Sequence, residues 1–152
     1  MVTIEGGQMQ NDVVTGYLEN MTYSSDNAYL KDGYILVRQS SGLLVLIHTN
    51  DSEAYVVEVL SGIHIRGELA QTLDTRINKL NSKLKIACFH REEDGQIICR
   101  GSMFKKNADH FMLANMVKHC SMAMLDFLPE LTDGLDSDSQ NEYRIIDDEA
   151  VM

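Results

Sequence analysis

The sequence predicts an α+β fold in which helices cover an antiparallel sheet. Two apolar runs flank a glycine-containing loop at residues 39–42, and a second pair flanks an Asp-Gly turn at 94–95. Three further segments repeat apolar residues with the period of an amphipathic helix. Hairpins alternating with helices pack as layers around one core. The predicted order of elements is α-β-β-β-α-β-β-α.

The first helix is predicted over residues 9–21, where apolar side chains recur on one face. Two strands follow at 34–38 and 43–47, after a turn signal at Lys31-Asp32-Gly33. The second of these strands is apolar throughout, which predicts a central strand that is buried on both faces. This part of the chain therefore supplies one helix and the first hairpin.

The middle of the chain predicts one strand, one helix and the second hairpin. A β-branched strand covers 54–60, a connection covers 62–67, and a narrow leucine and isoleucine stripe predicts a helix over 68–83. The hairpin strands are predicted over 85–91 and 96–103. We expect Cys88 and His90 to share a face of this hairpin with Ile97 and Cys99, and Phe89 to share the other face with Ile98 and Arg100.

The last helix begins at Asn107 or Asp109, and the pattern predicts that it stops at Pro129. Its broad apolar face should cover the sheet and contains Met112, Leu113, Met116, Val117, Cys120, Ala123, Met124 and Phe127. A second, smaller stripe lies nearly opposite and contains Phe111, Met122 and Leu125, with Lys118 among them. Loops or the first helix could cover this stripe, or it could contact a second copy or a partner.

Length and charge predict one domain with an acidic tail. The chain has 152 residues, which fits a single domain over 1–131 and a disordered tail over 132–152. The formal net charge is -10, and residues 130–152 contain eight of the 23 acidic residues but one of the 13 basic ones. This balance argues against direct nucleic-acid binding and against docking on an anionic membrane. With no signal peptide and no membrane span, a cytoplasmic location is expected.

The tail contains a short apolar patch that has two interpretations. Tyr143, Ile145 and Ile146 stand together with Arg144 between acidic stretches. They could belong to a solvated tail, or they could form a linear motif that folds on a partner or back onto the domain. In the second case, a basic strip formed by Arg38, Arg66, Arg91 and Arg100 would be a binding site for the tail.

No catalytic or metal-binding motif is found, so we expect no enzyme activity, metal or cofactor. Cys88, Cys99 and Cys120 form no C-x-x-C pair, and the five histidines lack ligand spacing. Free thiols in a reducing compartment are the expected state of these cysteines. A nucleophilic cysteine–histidine pair would have to form in space, for example between Cys99 and His90 across the hairpin, and structural roles account for both residues more simply.

The segment Thr75-Arg-Ile-Asn-Lys-Leu-Asn-Ser-Lys-Leu-Lys85, followed by the hairpin at Glu92-Glu-Asp-Gly95, is similar to the YbjN family. The order of elements, the size and the acidity also resemble class I type III secretion chaperones, over about residues 9–129. Asn78 and Asn81 match the asparagine pair of that family, whereas the tryptophan that often accompanies it is missing. The resemblance implies a small acidic bacterial homodimer that holds a partner polypeptide and is not an enzyme.

The first functional hypothesis is therefore a non-catalytic protein-binding module. It would bind a partner at a sheet edge and at apolar helix patches, with the stripe on the last helix, the tail patch and the two asparagines as candidate contacts. The asparagines could instead hydrogen-bond backbone at the end of their helix. The alternative function is a small acidic regulator or inhibitor, such as a nucleic-acid mimic, and a third is an enzyme with an unrecognised site.

Overall fold

We analysed a computed structural model, which describes residues 1–4 and 12–136. These residues form seven strands and three helices: β1 Val2–Ile4, α1 Asp12–Met21, β2 Asn27–Lys31, β3 Tyr34–Arg38, β4 Leu44–His48, β5 Ala54–His64, α2 Leu69–Asn81, β6 Cys88–Arg91, β7 Gln96–Phe104 and α3 His110–Thr132. The α+β class and the predicted order are confirmed. β1 and β2 are additional strands that the sequence pattern did not reveal.

The seven strands form one sheet in the order β1-β2-β3-β4-β5-β7-β6. Neighbouring strands are antiparallel except for β1 and β2, which are parallel because α1 connects them. β5 continues to His64, beyond the predicted end of its strand, and its register shifts between Leu60 and His64. The buried Gln96 side chain accepts a hydrogen bond from the Gly62 backbone within this irregular stretch, so the backbone there remains satisfied.

The β3–β4 and β6–β7 hairpins have the same turn geometry, and this geometry sets the register of each strand pair. In each turn one backbone hydrogen bond closes a three-residue loop whose last residue is a glycine at positive φ, 93° at Gly42 and 92° at Gly95. In the second hairpin Phe89 therefore pairs with Cys99, and Cys88 pairs with Arg100. The predicted faces of this hairpin are wrong, because a shift of one residue moves every side chain to the opposite face.

The helices cover one face of the sheet, which we call the covered face. Its core combines buried residues of all three helices with alternate strand residues, such as Ile35, Val45, Val57 and Ile97. On the other face, which we call the open face, a separate apolar cluster contains only strand residues: Leu36, Leu44, Leu60 and Ile98, flanked by Tyr29, Tyr34 and Leu46. β4 is thus central and contributes buried side chains to both faces, as predicted, although the described helices cover one of the two.

Two glycines allow α3 to pack closely against its neighbours. A side chain at Gly16 of α1 would lie within 2.6 Å of the His110 ring, and one at Gly101 of β7 would lie within 2.6 Å of the Met116 sulfur. Gly16 weakens an isolated helix. Its position in α1 is therefore explained by the close packing of α1 on α3.

α3 begins as predicted but does not end at Pro129. The Asp109 side chain caps the helix by accepting a hydrogen bond of 2.8 Å from the Met112 backbone. The helix continues through Pro129 to Thr132. Pro129 is exposed, so the Leu125 carbonyl that it leaves without a helical partner lies on the solvent side. Downstream, the Thr132 hydroxyl donates to the Leu128 carbonyl at 2.8 Å and supports the last turn.

Candidate partner-binding surfaces

The second apolar stripe of α3 lies on the side of the helix away from the sheet. Phe111, Met122 and Leu125 are 63%, 51% and 52% exposed, and Lys118 is exposed between them. We call these four residues the α3 stripe. The opposite side of the helix buries Leu113, Val117, Cys120 and Met124 against the sheet. Lys118, Met122 and Leu125 follow Phe111 by 7, 11 and 14 residues. These spacings are close to whole numbers of helical turns, so the four side chains lie on one side of the helix.

No described residue covers the α3 stripe. α1 packs on α3, but it leaves the three apolar side chains of the stripe more than half exposed. Met112, which we expected on the sheet side, is also 45% exposed and extends the apolar surface at the start of the helix. A cluster of large apolar side chains in solvent is typical of a contact surface. The alternative that loops or the first helix cover the stripe does not hold within residues 1–4 and 12–136.

The apolar cluster of the open face is sealed by its own neighbours. Leu36, Leu44, Leu60 and Ile98 are at most 5% exposed although no described helix packs on them. A groove of about 520 Å³ crosses this face, with Leu46, Leu60 and Ile98 among its apolar residues and Glu58 and Glu92 among its acidic ones. The groove of the open face therefore combines apolar and acidic side chains, in contrast to the α3 stripe.

A charged network runs across the open face over three adjacent strands. Glu58 of β5 contacts the His48 ring at 2.7 Å on one side and accepts a hydrogen bond of 2.9 Å from Nε of Arg100 on the other. Arg100 also lies 3.7 Å from Glu92. The hydrogen bond to His48 and the Arg100 guanidinium lower the pKa of Glu58 to about 2, against the effect of burial. This network fixes side chains that would otherwise be available to a partner.

The structure brings His90 to Cys88 and not to Cys99. The Cys88 sulfur lies 3.1 Å from Nε2 of His90 on the open face, and burial together with the nearby Arg100 lowers the pKa of His90. Cys99 lies on the covered face, where it is buried next to Cys120 and its thiol pKa is raised. The Cys99–His90 pair considered from the sequence is therefore excluded by the register of the hairpin.

Asn81 at the end of α2 occupies the free edge of β6. Its side-chain amide donates to the Phe89 carbonyl at 2.9 Å and accepts from the Phe89 backbone N–H at 2.8 Å. These two Phe89 groups point away from β7, because Phe89 and Cys99 form a non-hydrogen-bonded pair between the bonded pairs on either side. Asn81 thus bonds the two backbone groups of Phe89 that a strand added at the β6 edge would otherwise bond. Asn78 is exposed on α2.

Two of the four arginines of the expected basic strip are neutralised by carboxylates. Arg91 holds Asp74 with two hydrogen bonds of 2.8 and 2.9 Å, and Arg100 holds Glu58. The Arg66 side chain donates to the Asp94 carbonyl across the hairpin turn. Arg38 belongs to β3 and is half-buried. These residues support the sheet and its turns, and they do not form the free cationic surface that we expected.

A basic groove that we did not identify from the sequence lies between α2 and the end of α3. Arg76, Lys79 and Lys83 line it together with Leu80 and Leu131, and its volume is about 330 Å³. We call it the α2 groove. Arg76 and Lys79 stand three residues apart on one side of α2, and Lys83 follows two residues after the helix ends at Asn81. That spacing is visible in the sequence, but the leucine stripe on the same helix dominates the pattern.

Three of the predicted contacts lie outside the described residues. They are Tyr143, Ile145 and Ile146 of the tail patch. Within residues 1–4 and 12–136, no group of three or more histidine, cysteine, aspartate or glutamate side chains could hold a metal ion. None of the described helices is both long and apolar enough to cross a membrane.

The fold is similar to that of a solved protein although the sequence matches none of the known families. No protein-family model and no curated protein matches the chain. A chain of the heterodimeric ExoU–SpcU complex from the type III secretion system of Pseudomonas aeruginosa has a TM-score of 0.52 at 11% sequence identity, covering 65% of this chain and 83% of that one. This likeness shows the fold alone. It confirms the resemblance to the type III secretion chaperone fold, and it does not extend to the YbjN family.

Proposed function

We propose that this protein is a non-catalytic protein-binding module of the cytoplasm, related in kind to the secretion chaperones. In this proposal the α3 stripe holds two copies together as a homodimer or binds an apolar segment of a partner polypeptide. The fold supports it, because a chain of a heterodimeric complex from a type III secretion system has a similar fold over 65% of this chain. Fold likeness alone does not determine function, so the proposal depends on the surface of this chain.

The exposure of the α3 stripe is the observation that carries the proposal. Phe111, Met122 and Leu125 place three large apolar side chains in solvent on one side of a helix that is already anchored by its other side. Burying such side chains in an interface is favourable by about 1.5–3 kcal/mol for each side chain that is fully buried. Methionine adapts to partners of different shape, which fits a surface that accepts a polypeptide segment.

The β6 edge of the sheet is a weaker candidate for strand addition than the hypothesis assumed. Asn81 already bonds both outward backbone groups of Phe89, so a partner strand would have to displace it from β6. We therefore assign the first partner contact to the α3 stripe, with exposed Asn78 as an additional polar candidate. Asn81 has the structural role that the sequence left open. The tail patch at Tyr143, Ile145 and Ile146 stays a candidate contact.

The oligomeric state of two matched variants tests the homodimer. Phe111→Asp places a charge in the α3 stripe, and Phe104→Asp makes the same change at a residue that is 76% exposed and outside the stripe. We expect the wild type and Phe104→Asp to have the mass of a dimer in light scattering coupled to gel filtration. Phe111→Asp should give a monomer, because a buried unpaired carboxylate disrupts the interface. A dimer of unchanged mass in Phe111→Asp would show that the stripe does not join two copies.

Partner binding is tested separately with the same proteins. Each is used to capture binding proteins from the cells that produce it, and recovery is compared by quantitative mass spectrometry. We expect one dominant polypeptide with the wild type and with Phe104→Asp, and a clear loss with Phe111→Asp. If Phe111→Asp recovers the same protein in the same amount, the stripe is not its binding site. Circular dichroism confirms that both variants remain folded.

A further inference from the structure

The described chain ends beside the α2 groove and is held there by one of the groove's own residues. Arg76 of α2 donates to the Leu131 carbonyl at 3.1 Å and to the Asp133 carbonyl at 2.7 Å. Leu135 packs against the core one turn later. The segment that follows Asp136 therefore starts next to the groove.

The other two basic residues of the groove have no carboxylate partner among residues 1–4 and 12–136. Lys79 and Lys83 are exposed, and neither forms an ion pair with any of the residues that the structure describes. Glu130 and Asp133 also line the groove, so its three cations face two carboxylates. Arg76 already binds two backbone carbonyl groups, so Lys79 and Lys83 are the cations of the groove that remain for an acidic segment.

The chain beyond Asp136 has the opposite charge. Residues 137–152 contain five acidic residues and one arginine, and Asp147, Asp148 and Glu149 stand together. Directly before these three acids come Ile145 and Ile146, which have the size and polarity to contact the half-buried Leu80 in the groove. The segment thus offers the groove both a negative charge and an apolar contact.

We propose that the acidic C-terminal segment, residues 137–152, binds back onto the α2 groove of its own chain through Lys79 and Lys83. The segment is long enough, since each extended residue spans about 3.3 Å and the groove begins beside Asp133. Its attachment to the same chain gives it an effective concentration of the order of millimolar. The site differs from the basic strip expected at first, whose arginines are used inside the fold. It is also independent of the α3 stripe, which carries the proposed function, but it occupies Ile145 and Ile146, which are then not free for the partner contact considered for the tail patch.

The rate of trypsin cleavage at Arg144 tests this proposal in the full-length protein. Arg144 is the one basic residue of the segment, so release of the peptide 145–152 reports directly on its accessibility. Lys79→Glu/Lys83→Glu reverses two charges in the groove. Lys85→Glu/Lys106→Glu makes the same change in net charge at two exposed residues outside it. Early time points of the digestion are compared by mass spectrometry at low salt, after thermal unfolding has shown that both variants fold.

We expect the groove variant to release the peptide about fivefold faster than the wild type, as the loss of two exposed ion pairs predicts. The control variant should match the wild type, and about 0.5 M salt should raise the wild-type rate toward that of the groove variant. Equal rates in all three proteins at low salt would overturn the proposal.

Carbodiimide coupling, which joins a carboxylate directly to a lysine amine, separates binding within one chain from binding between chains. The expected product joins Lys79 or Lys83 to residues 147–149 and has the mass of a single chain. Its yield should not change with protein concentration. A product found only between two chains would exclude the intramolecular contact, whatever the outcome for the α3 stripe.

Discussion

The two faces of the sheet bury apolar side chains by different means. On the covered face, strand residues pack against three helices in one large core, and Ile97 is completely buried there. On the open face the neighbouring residue, Ile98, is 1% exposed without any described helix above it. Tyrosines and the Glu58–Arg100 network enclose that smaller cluster from the side. The same strand therefore alternates between a deep core and a thin one.

This difference indicates where a partner can bind. No described helix packs on the open face, but Leu36, Leu44 and Leu60 are already buried there, and the Glu58–Arg100 network lies beside them. Three exposed large apolar side chains stand together instead on the outer side of α3, which belongs to the layer that protects the core. An uncovered sheet face and an exposed apolar surface are thus separate features in this protein.

The largest expected effect compares the two neighbouring isoleucines of β7. Ile97→Ala should lower the free energy of unfolding by about 4 kcal/mol, because the cavity lies in a rigid core. Ile98→Ala should lower it by about 2 kcal/mol, because surrounding side chains and water can move into the thin cluster. Chemical denaturation of both variants gives the two values. Equal losses would mean that the open face is as tightly packed as the covered one.

The next effect concerns the charged layer of the open face. Glu58 has a folded-state pKa of about 2, below its ordinary value of 4.5, so its carboxylate stabilises the fold above about pH 4.5. This contribution is lost as pH falls toward 2. Because Arg100 and His48 are partly exposed, we discount the shift and expect Glu58→Gln to lower the free energy of unfolding by about 2 kcal/mol at pH 7.

The difference between the wild type and Glu58→Gln should fall to less than half of its neutral value at about pH 3. Glu53→Gln is the matched control, since Glu53 is exposed and forms no ion pair among the described residues. It should change stability little at either pH. A difference for Glu58→Gln that stays constant with pH would show that the network contributes packing and not charge.

The sequence was sufficient for the elements whose patterns are local. The α3 stripe and the main helices and hairpins follow from period and turn residues alone. The register of the second hairpin could not be predicted from the sequence, because the Asp-Gly pair is compatible with loops of different length. A difference of one residue in loop length moves each side chain to the other face of the sheet. β1 has only three residues, and β2 lacks a strong apolar pattern. Residue propensity therefore does not predict these two strands, which are recognised by their pairing in the structure.

The remaining differences arise from tertiary contacts. Pro129 is a strong stop signal in sequence, yet its exposed position and the support of the last turn by Arg76 let α3 continue. Similarly, the basic residues of the α2 groove line a groove only because the end of α3 packs beside them. The resemblance to secretion chaperones predicted the fold. The two asparagines that supported the resemblance have different environments: Asn81 bonds the β6 edge, and Asn78 is exposed.

The smallest effect lies at the sheet edge where the two faces meet. Asn81→Ala removes two hydrogen bonds and leaves the Phe89 N–H and carbonyl groups to water, which should lower the free energy of unfolding by about 1–2 kcal/mol. Asn78→Ala, three residues earlier on the exposed side of the same helix, should change it by less than about 0.5 kcal/mol. Hydrogen exchange should locate the effect, since the Phe89 amide loses protection in Asn81→Ala while the amides of β4 keep theirs. If both variants are equally stable and Phe89 stays protected, another group closes the edge, and Asn81 becomes as available to a partner as Asn78. If only Asn81→Ala loses stability, the role of Asn81 is to protect the sheet edge, and Asn78 is the asparagine that remains a candidate for partner binding.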